Sequence, residues 1–312
     1  MSRATDLGDL IKNARAGQAL AVARLITLVE DGGPEARIIA QELSKVESNS
    51  HVIGITGSPG VGKSTSTSAL TKELRQSGKT VAVLAVDPSS TFSGGALLGD
   101  RIRMQEHTVD EKVFIRSMAS RGHLGGLSAA APQAVRILEA AGFDYVIVET
   151  VGVGQSEIDI AAMADTTLVL LAPGMGDDIQ AAKAGILEIG DIFVINKADR
   201  DGANKTRREL RTIAHQLLKG KAAWLPPILL TVATKEEGIV EVVQAIADHR
   251  AHLESSGELS IRRKQRLRME VQALAVAAMS NKLVHILSDI ETKDPYEALD
   301  EALDKLRGEE WT

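Results

Sequence analysis

The stretch that decides the fold is residues 57–65, GSPGVGKST, which fits the pattern G-x-x-x-x-G-K-[S/T]. The short apolar run HVIGITG leads into it, and a helical pattern from Lys63 to about Gln76 follows and stops at Gly78. Glycines in such a loop let backbone N–H groups converge on phosphate oxygens, at the positive end of the helix that follows. The stretch therefore predicts a phosphate-binding loop, made of Gly57, Ser58, Pro59, Gly60, Val61, Gly62, Lys63, Ser64 and Thr65.

Six further apolar runs predict strands: TVAVLAVD, KVFIRSM, DYVIVET, TTLVLLAPG, DIFVINKAD and PPILLTVAT. Runs so uniformly apolar suit strands that are covered on both faces, as in a parallel sheet with helices between the strands. Helical patterns also fill residues 5–48 and the chain from about Glu236 onward. We therefore predict an α/β fold, a doubly wound and mostly parallel sheet of the P-loop NTPase type. We expect three parts: a helical extension at residues 1–50, the nucleotide domain at residues 51–255, and a helical dimerisation segment at residues 256–312.

Composition narrows the class of protein. The chain has 312 residues and a formal net charge of -6, which argues against nucleic acid because phosphate neutralisation needs a concentrated basic surface. It has no cysteine, which excludes disulfides, thiolate nucleophiles and cysteine-ligated metal centres. No apolar run approaches the length of a membrane span, and the first residues lack the apolar core of a signal peptide. We therefore expect a cytoplasmic protein that binds neither nucleic acid nor membrane.

Two polar features near the end of the chain are interpreted as surface. The basic run RRKQRLR, Arg262–Arg268, lies in a helical pattern flanked by acidic residues, which is typical of a solvated helix face. His249 and His252 lie one helical turn apart and could ligate a metal. Since no third ligand is near them in the sequence, an exposed helix face is the preferred interpretation.

Lys63 and Ser64 are expected to carry the phosphate chemistry of the loop. Lys63 would neutralise the β and γ phosphates of a nucleotide, and Ser64 would ligate Mg²⁺. Asp87 ends the strand TVAVLAVD, and Asp100 lies in the glycine-containing loop GGALLGDRIRM. Carboxylates near a phosphate loop suggest ligation of Mg²⁺ or of its waters, and a turn cap is the alternative for either aspartate.

The motif NKAD, residues 196–199, ends the run IFVI and is typical of a guanine reader when it follows a phosphate loop. The Asp199 carboxylate can accept from the ring N–H and the 2-amino group of guanine. Adenine would leave that charge unpaired, because it offers an acceptor at the ring nitrogen and has no amino group there. In TVATKEEG, after the last strand, the backbone N–H of Ala233 could meet guanine O6. The predicted base-binding residues are Asn196, Lys197, Asp199 and Ala233.

The motifs together resemble one family, the methylmalonyl-CoA mutase-associated GTPases of the MeaB/ArgK type. The resemblance rests on GSPGVGKST, AVDPSS, GGALLGDRIRM, FIRSMASRGHLGG, VETVGVGQSE, LAPGMGDDIQAAKAGILEIGD and VINKAD, in family order. It covers essentially the whole chain, including the helical ends. It implies an enzyme that hydrolyses GTP to GDP and acts as a chaperone for an adenosylcobalamin-dependent acyl-CoA mutase. Such a chaperone gates cofactor loading and protects the mutase from inactivation.

The resemblance also implies particular residues and partners. It implies Mg²⁺ chemistry at Ser64, Asp87 and Asp100, a γ-phosphate sensor at Gly152, and a third mobile loop, APGMGDDIQAAK, with Lys183 at its end. It implies a homodimer joined through the C-terminal helices and no cobalamin bound by the chain itself. A cobalamin adenosyltransferase is a second candidate partner.

Glu149 and Gln155 lie around the strand end DYVIVET and the glycine loop behind it. Glu149 stands where an aspartate is usual, and its extra methylene suits reaching Mg²⁺ through a water, since Mg²⁺ keeps several waters in such sites. Gln155 would orient a water or contact a switch. The expected catalytic groups are Lys63, Asp87, Asp100, Glu149, Gln155 and Lys183, and Glu149 joins Ser64, Asp87 and Asp100 as a metal-site residue.

Three questions stay open at the level of sequence. A nickel-insertion GTPase is an alternative, although such proteins need thiolate or clustered histidine ligands. A P-loop small-molecule kinase is another, although NKAD counts against the ATP that a kinase normally uses. The apolar stripe of Leu267, Val271, Leu274 and Ala278 predicts a dimer interface, and packing onto the chain's own core is its alternative.

Overall fold

The computed structural model describes residues 3–87, 107, 109–119, 130–150, 156–174, 186–218, 223–292 and 294–308. Within these, it describes only the backbone at residues 3–6, 87, 119, 156–158, 186–187, 215–218 and 308. The described residues form a seven-stranded parallel sheet with helices on both faces. The predicted doubly wound α/β fold is confirmed.

All seven predicted strands are present, and their order in the sheet is β3-β2-β4-β1-β5-β6-β7. The central strand β1 pairs with β4 on one side and β5 on the other, so the direction of winding reverses beside it. In open α/β sheets ligands bind at such a switch point, at the carboxyl ends of the strands. The predicted phosphate loop follows β1 and therefore lies at that position. The strands are β1 His51–Thr56, β2 Val81–Asp87, β3 Val113–Ala119, β4 Tyr145–Thr150, β5 Thr166–Leu171, β6 Ile192–Ile195 and β7 Ile228–Leu230.

The helices begin and end close to the sequence expectations. Pro34 opens the third helix, where its missing N–H costs nothing, and the helix after the phosphate loop spans the predicted residues. The helices are α1 Arg3–Arg15, α2 Ala19–Asp31, α3 Pro34–Leu43, α4 Lys63–Gln76, α5 Ala130–Ala140, α6 Ser156–Met163, α7 Ile186–Ile189, α8 Ala203–Leu218, α9 Ile239–Ser256, α10 Glu258–Ser288 and α11 Pro295–Gly308.

Each face of the sheet is covered by its own helices. On one face, α1, α2, α3 and α5 bury apolar side chains against β1, β2 and β4, among them Leu25, Ile26 and Leu138. On the other face, α4 and α9 pack over the centre of the sheet, and Leu74 and Ile246 are buried there. The strands between them are buried on both faces, which explains their near-continuous apolar sequences.

Residues 1–266 and residues 267–312 form two compact units, here called the core unit and the C-terminal unit. α10 begins in the first and continues into the second. In the C-terminal unit, Ile286 packs with Ala302 and Leu306 of α11. The divisions predicted from the sequence, after residues 50 and 255, stay predictions.

α10 has an exposed apolar surface. Leu267, Val271 and Leu274 of the predicted stripe are 49%, 57% and 42% exposed, and Ala278 is exposed as well. By length and composition alone, α10 could also cross a membrane. The sequence analysis did not indicate this, because polar residues interrupt the helix before any apolar run reaches the length of a membrane span. Only 6% of its most apolar window is buried, and one such helix is weak evidence for a membrane span.

The basic run is solvated only in part: Lys264 and Arg268 are exposed, but the prediction was wrong for its other three arginines. The Arg262 guanidinium forms two hydrogen bonds of 2.8 Å with the Asp191 carboxylate. Arg263 donates to the backbone oxygens of Ser48 and Ser50, and Arg266 donates to Glu139 at 2.8 Å. These arginines attach the start of α10 to the amino-terminal edge of the sheet.

The interpretation of His249 and His252 as an exposed pair was also wrong. His249 is fully buried, and its Nδ1 lies 2.8 Å from the Thr166 hydroxyl, which in turn lies 2.7 Å from Nε2 of the buried His51. His252 is half-buried against the ring of Trp224, with the two ring centres 5.3 Å apart. Among the described residues no group of three or more histidines or carboxylates could hold a metal ion.

Burial lowers the pKa of both buried histidines to about 4. The Asp165 carboxylate opposes the shift at His51, while the positive charges of Arg250 and Arg263 add to it. At His249, Asp191 and Glu258 oppose the shift, and Arg262 and His252 add to it. Both rings are therefore neutral in the folded chain at neutral pH.

Acidification should weaken the fold through these two rings. Between the unfolded pKa of 6.5 and the folded pKa of about 4, the unfolded chain binds more protons than the folded chain. We expect the free energy of unfolding to be highest above pH 6.5 and to fall as the pH drops towards 4. The loss should be roughly 3 kcal/mol for each histidine. Urea denaturation followed by circular dichroism over this pH range measures it.

Substitutions distinguish the contribution of the two histidines to this pH dependence from that of carboxylates that titrate in the same pH range. The free energy of unfolding of His51→Gln/His249→Gln should depend less on pH between 6.5 and 4 than that of the parent chain. His285→Gln, on an exposed part of α10, should keep the parent dependence. Equal pH dependence in the parent and the double variant would contradict the prediction.

Candidate active site

The phosphate loop needs glycine where the chain turns from β1 into α4. Gly57 has φ +140°, and a Cβ there would lie 2.2 Å from the backbone oxygen of Leu170. Gly62 has φ +97°, and a Cβ there would lie 2.5 Å from the amide nitrogen of Asn196. Side chains at either position would force β5 or Asn196 away. The two glycines thus let the loop fit closely against its neighbours.

The first turn of α4 is available to an anion. Gly62 precedes the helix without a side-chain cap, and the first turn carries no acidic residue. The first N–H groups of a helix have no partner within the helix, and its amino-terminal end has positive polarity. This arrangement is suited to phosphate oxygens. The loop residues Pro59, Gly60 and Thr65 are exposed at the same place.

Lys63 points its ammonium group back into the loop. Its Nζ donates to the backbone oxygen of Gly57 at 2.6 Å and to that of Ser58 at 3.3 Å. The residue is only 8% exposed. The loop therefore holds a buried positive charge among backbone dipoles, where the oxygens of a nucleotide phosphate would be a stronger partner.

Ser64 and Glu149 lie together at the carboxyl ends of the central strands. Glu149 belongs to β4, pairs with Ile55 of β1 and Ala85 of β2, and is 1% exposed. The Ser64 hydroxyl donates to Oε1 of Glu149 at 2.7 Å. A hydroxyl and a carboxylate are the hard oxygen donors that Mg²⁺ prefers, and Mg²⁺ commonly takes few protein ligands beside phosphates and waters. The residues present therefore fit Mg²⁺.

Asn196 connects the base-reading motif to both neighbouring loops. Its Nδ2 donates to the backbone oxygen of Val61 at 2.9 Å, which ties β6 to the phosphate loop. Its Oδ1 accepts from the backbone N–H of Ala233 at 3.0 Å and from the Thr231 hydroxyl at 3.3 Å. One buried amide thus holds the ends of β1, β6 and β7 in register.

Lys197 adds a second contact to the phosphate loop. It has φ +58°, a left-handed conformation that is uncommon outside glycine, and its Nζ donates to the backbone oxygen of Gly60 at 2.6 Å. Strained residues of this kind persist where the surrounding structure holds them, and functional sites are the usual places. Asn196 and Lys197 thus both fix the loop that would hold the phosphates.

Asp199 is 44% exposed at its side chain and lies 3.7 Å from the Lys235 ammonium. Lys235 was missed by the sequence analysis, although it stands two residues after Ala233 in TVATKEEG. The Ala233 N–H, predicted to meet guanine O6, is bonded to Asn196 here, so its contact with guanine stays a prediction. Thr231 was missed as well, because nothing in its local sequence indicates a partner on β6.

Four predicted site residues, Asp100, Gly152, Gln155 and Lys183, lie outside the described residues. Asp87 ends β2 at the same edge of the sheet as Glu149, and its backbone alone is described. Their predicted roles stay predictions. The described part of the site joins a helix start suited to an anion, a buried lysine, a hydroxyl–carboxylate pair and the exposed Asp199, which is predicted to read the base. Such a set can bind a magnesium–nucleotide complex.

The chain is similar to known proteins over nearly its full length. The family described as "Methylmalonyl Co-A mutase-associated GTPase MeaB" matches residues 22–287. A candidate GTPase of Pyrococcus horikoshii is 48% identical, over 97% of this chain and 99% of that protein. The GTPase ArgK of Escherichia coli is 40% identical, over 83% of this chain and 80% of that protein.

Solved structures give the same fold. The crystal structure of an LAO/AO transport system kinase is 30% identical, covers 98% of this chain and 99% of its own, and has a TM-score of 0.71. HypB from Helicobacter pylori, solved in complex with nickel, is 18% identical with a TM-score of 0.50 and covers 70% of this chain and 96% of its own. The second likeness shows the fold alone and gives no support to nickel insertion. The site and the match over residues 22–287 agree: the chain belongs to the family of methylmalonyl-CoA mutase-associated GTPases of the MeaB type and is a GTPase.

Proposed function

We propose that this GTPase is a chaperone for an adenosylcobalamin-dependent acyl-CoA mutase of the methylmalonyl-CoA mutase type. In this role it gates loading of the mutase cofactor and protects the mutase from inactivation. The observation that carries the proposal is the extent of the family match. Residues 22–287 include most of α2 and all of α3 before the sheet, and nearly all of α10 after it. The match thus extends beyond the nucleotide domain to the helices before and after the sheet, as expected of a chain that shares the family's role as well as its nucleotide site.

The chain's own groups account for nucleotide binding in this proposal. The first turn of α4 and the loop backbone take the phosphate oxygens, and the Lys63 ammonium moves from the Gly57 carbonyl to the β and γ phosphates. Asp199 takes the guanine N–H groups. Ser64 and Glu149 would hold Mg²⁺, directly or through water, and the ion supplies positive charge to the phosphate oxygens.

The remaining chemistry is assigned to residues outside the described part of the chain and to Asp87, of which only the backbone is described. We place Asp87 and Asp100 at the Mg²⁺ side, Gly152 at the γ-phosphate, and Gln155 beside the attacking water. Lys183 completes the site from the third loop. The proposal is that GTP hydrolysis is slow until the mutase positions these groups. It also places the protein in the cytoplasm, without cobalamin of its own and with a cobalamin adenosyltransferase as a second candidate partner.

The Asp199→Asn change should shift base preference from guanine to xanthine. The amide can donate to the 2-oxo group of xanthine but can no longer accept both guanine donors. We expect GDP affinity to fall at least about a hundredfold, and xanthosine diphosphate to bind more tightly than GDP. Calorimetry with Mg²⁺ measures both affinities. Asp201→Asn, at an exposed aspartate of the same loop, should bind GDP as the parent does. Parent-like GDP affinity in Asp199→Asn would show that another group reads the base.

The mutase coupling is tested at Lys183. The methylmalonyl-CoA mutase of the same organism should raise the steady-state rate of GTP hydrolysis. Lys183→Ala should lose most of that stimulation and keep its GTP affinity, because the phosphate loop and Asp199 still bind the nucleotide. Hydrolysis with and without the mutase, beside a GTP titration for each variant, measures both. Full stimulation of Lys183→Ala by the mutase would contradict the role assigned to this lysine. A mutase that neither binds nor stimulates the parent chain would contradict the chaperone proposal itself.

We further propose that the protein is a homodimer joined through the C-terminal unit, since an exposed apolar stripe is typical of an interface. Val271→Glu/Leu274→Glu should give a monomer in light scattering, because it places charges on the stripe. Gln272→Glu, an exposed neighbour on α10, should leave the dimer intact. A dimeric double variant would place the interface elsewhere. A truncated chain offers a second test of the dimer. It should end after Arg268 rather than near Ser256, so that the arginines bound to the sheet are kept.

A further inference from the structure

A groove of about 440 Å³ lies between α8 and the strand β7, on the far side of the core unit's sheet from β3. One wall is basic, the other is apolar, and neither contains a residue of the nucleotide site. The residues that line it are Arg207, Arg211, Ala214, Leu225, Pro226, Pro227, Ile228 and Leu229.

The basic wall carries charges that the described chain does not neutralise. Arg207 and Arg211 lie one turn apart on α8, and both are exposed. Within the described residues neither guanidinium makes an ion pair or a hydrogen bond. The chain as a whole has a net charge of -6, whereas this wall of the groove carries two positive charges that the described residues leave unpaired. The charge of this wall is complementary to an acidic ligand.

The other wall ends in a sheet edge that no described strand covers. β7 is last in the strand order. The Phe193 N–H donates to Pro227 O, and the Thr231 N–H donates to Ile195 O, both at 2.9 Å. The backbone N–H and C=O groups of residues 227, 229 and 231, where present, therefore point towards β6. By the alternation of a strand, the N–H and C=O groups of Ile228 and the N–H of Leu230 face outward.

These outward groups are available for pairing. Among the described residues none of the three makes a hydrogen bond. The carbonyl of Leu230 is different, because Gly238 packs against it so closely that a Cβ there would lie 2.2 Å away. Pro226, at the next outward position before Ile228, offers no N–H, which limits pairing to a few residues and protects the edge from long strands. Leu225 beside it is 70% exposed.

We propose that this groove binds a short, extended, acidic segment of a partner protein, which adds to β7 as an eighth strand. Alternate side chains of an extended strand lie about 6.6 Å apart, and residues one turn apart on a helix are about 6 Å apart. Two acidic residues at alternate positions of the segment thus meet Arg207 and Arg211. Its backbone pairs with Ile228 and Leu230, and its intervening apolar residues cover Leu225 and Pro226. The inference does not depend on the identity of the partner that the GTPase serves.

The probe for this groove is a short fluorescein-labelled peptide of alternating glutamate and valine. One control peptide has lysine in place of glutamate, and a second has proline in place of the central valine. Fluorescence anisotropy measures their affinity for the full chain with GDP and Mg²⁺ present. We expect the glutamate peptide to bind, and both control peptides to bind about tenfold more weakly or not at all.

Substitutions on α8 locate the site. Arg207→Gln/Arg211→Gln should weaken binding of the glutamate peptide about tenfold, because both charge-assisted contacts are lost. Arg208→Gln is the matched control, since Arg208 is an exposed arginine on the same helix that does not line the groove. None of the three arginines belongs to the nucleotide site, so unchanged GTP hydrolysis shows that each variant is folded.

Amide hydrogen exchange distinguishes strand addition from simple charge attraction. Saturating peptide should slow exchange at Ile228 and Leu230, whereas Leu229 already faces β6 and should change little. Failure of the glutamate peptide to bind, or equal binding by the double variant, overturns the proposal. Equal binding of the proline peptide, or unchanged exchange at Ile228 and Leu230, shows an acidic ligand held by charge alone and overturns strand addition.

Discussion

The side-chain amide of Asn196 is the contact on which the arrangement of the active site depends. It bonds Val61 O in the phosphate loop, and it accepts from Thr231 and Ala233 after β7. Three loops that leave different strands are thereby fixed to one another. Gly62 has to be glycine partly because a Cβ there would collide with this amide. The loop predicted to read the base and the loop predicted to bind the phosphates are thus held together by one amide, so a change at Asn196 should disturb both.

The two ends of the sheet have different physical roles. At the carboxyl end, polar groups such as Lys63 and Asp199 have partners that a ligand can replace. At the amino end, His51, Thr166 and His249 form a buried chain of hydrogen bonds, and three arginines of α10 bind the sheet edge beside it. These contacts hold α9 and α10 in place. The contacts that hold these helices thus lie at the opposite end of the sheet from the groups predicted to bind the nucleotide.

The sequence predicted what depends on local pattern. The seven strands, the helix at Lys63 and the position of Glu149 beside Ser64 follow from apolar runs and one loop motif. It failed where the partner is distant in sequence. Arg262 is 71 residues from Asp191, and Arg266 is 127 residues from Glu139, so a basic run with acids nearby was interpreted as solvated. Lys235 was missed for a related reason: its contact with Asp199 exists only because β6 and β7 are neighbours.

The described site also suggests why nucleotide affinity should depend strongly on having the right base and the right phosphates together. Each ligand-binding group already has an internal partner: Lys63 has the Gly57 carbonyl, Ser64 has Glu149, and Asp199 has Lys235. A ligand must replace these contacts, so its gain is a difference between two polar interactions rather than the full strength of one. A phosphate oxygen would bind the Lys63 ammonium more strongly than a carbonyl oxygen does, because both partners in that hydrogen bond are charged. In the proposed binding mode guanine would donate twice to Asp199 and so replace the exposed Lys235 pair, whereas adenine would displace the lysine and offer no donor in return.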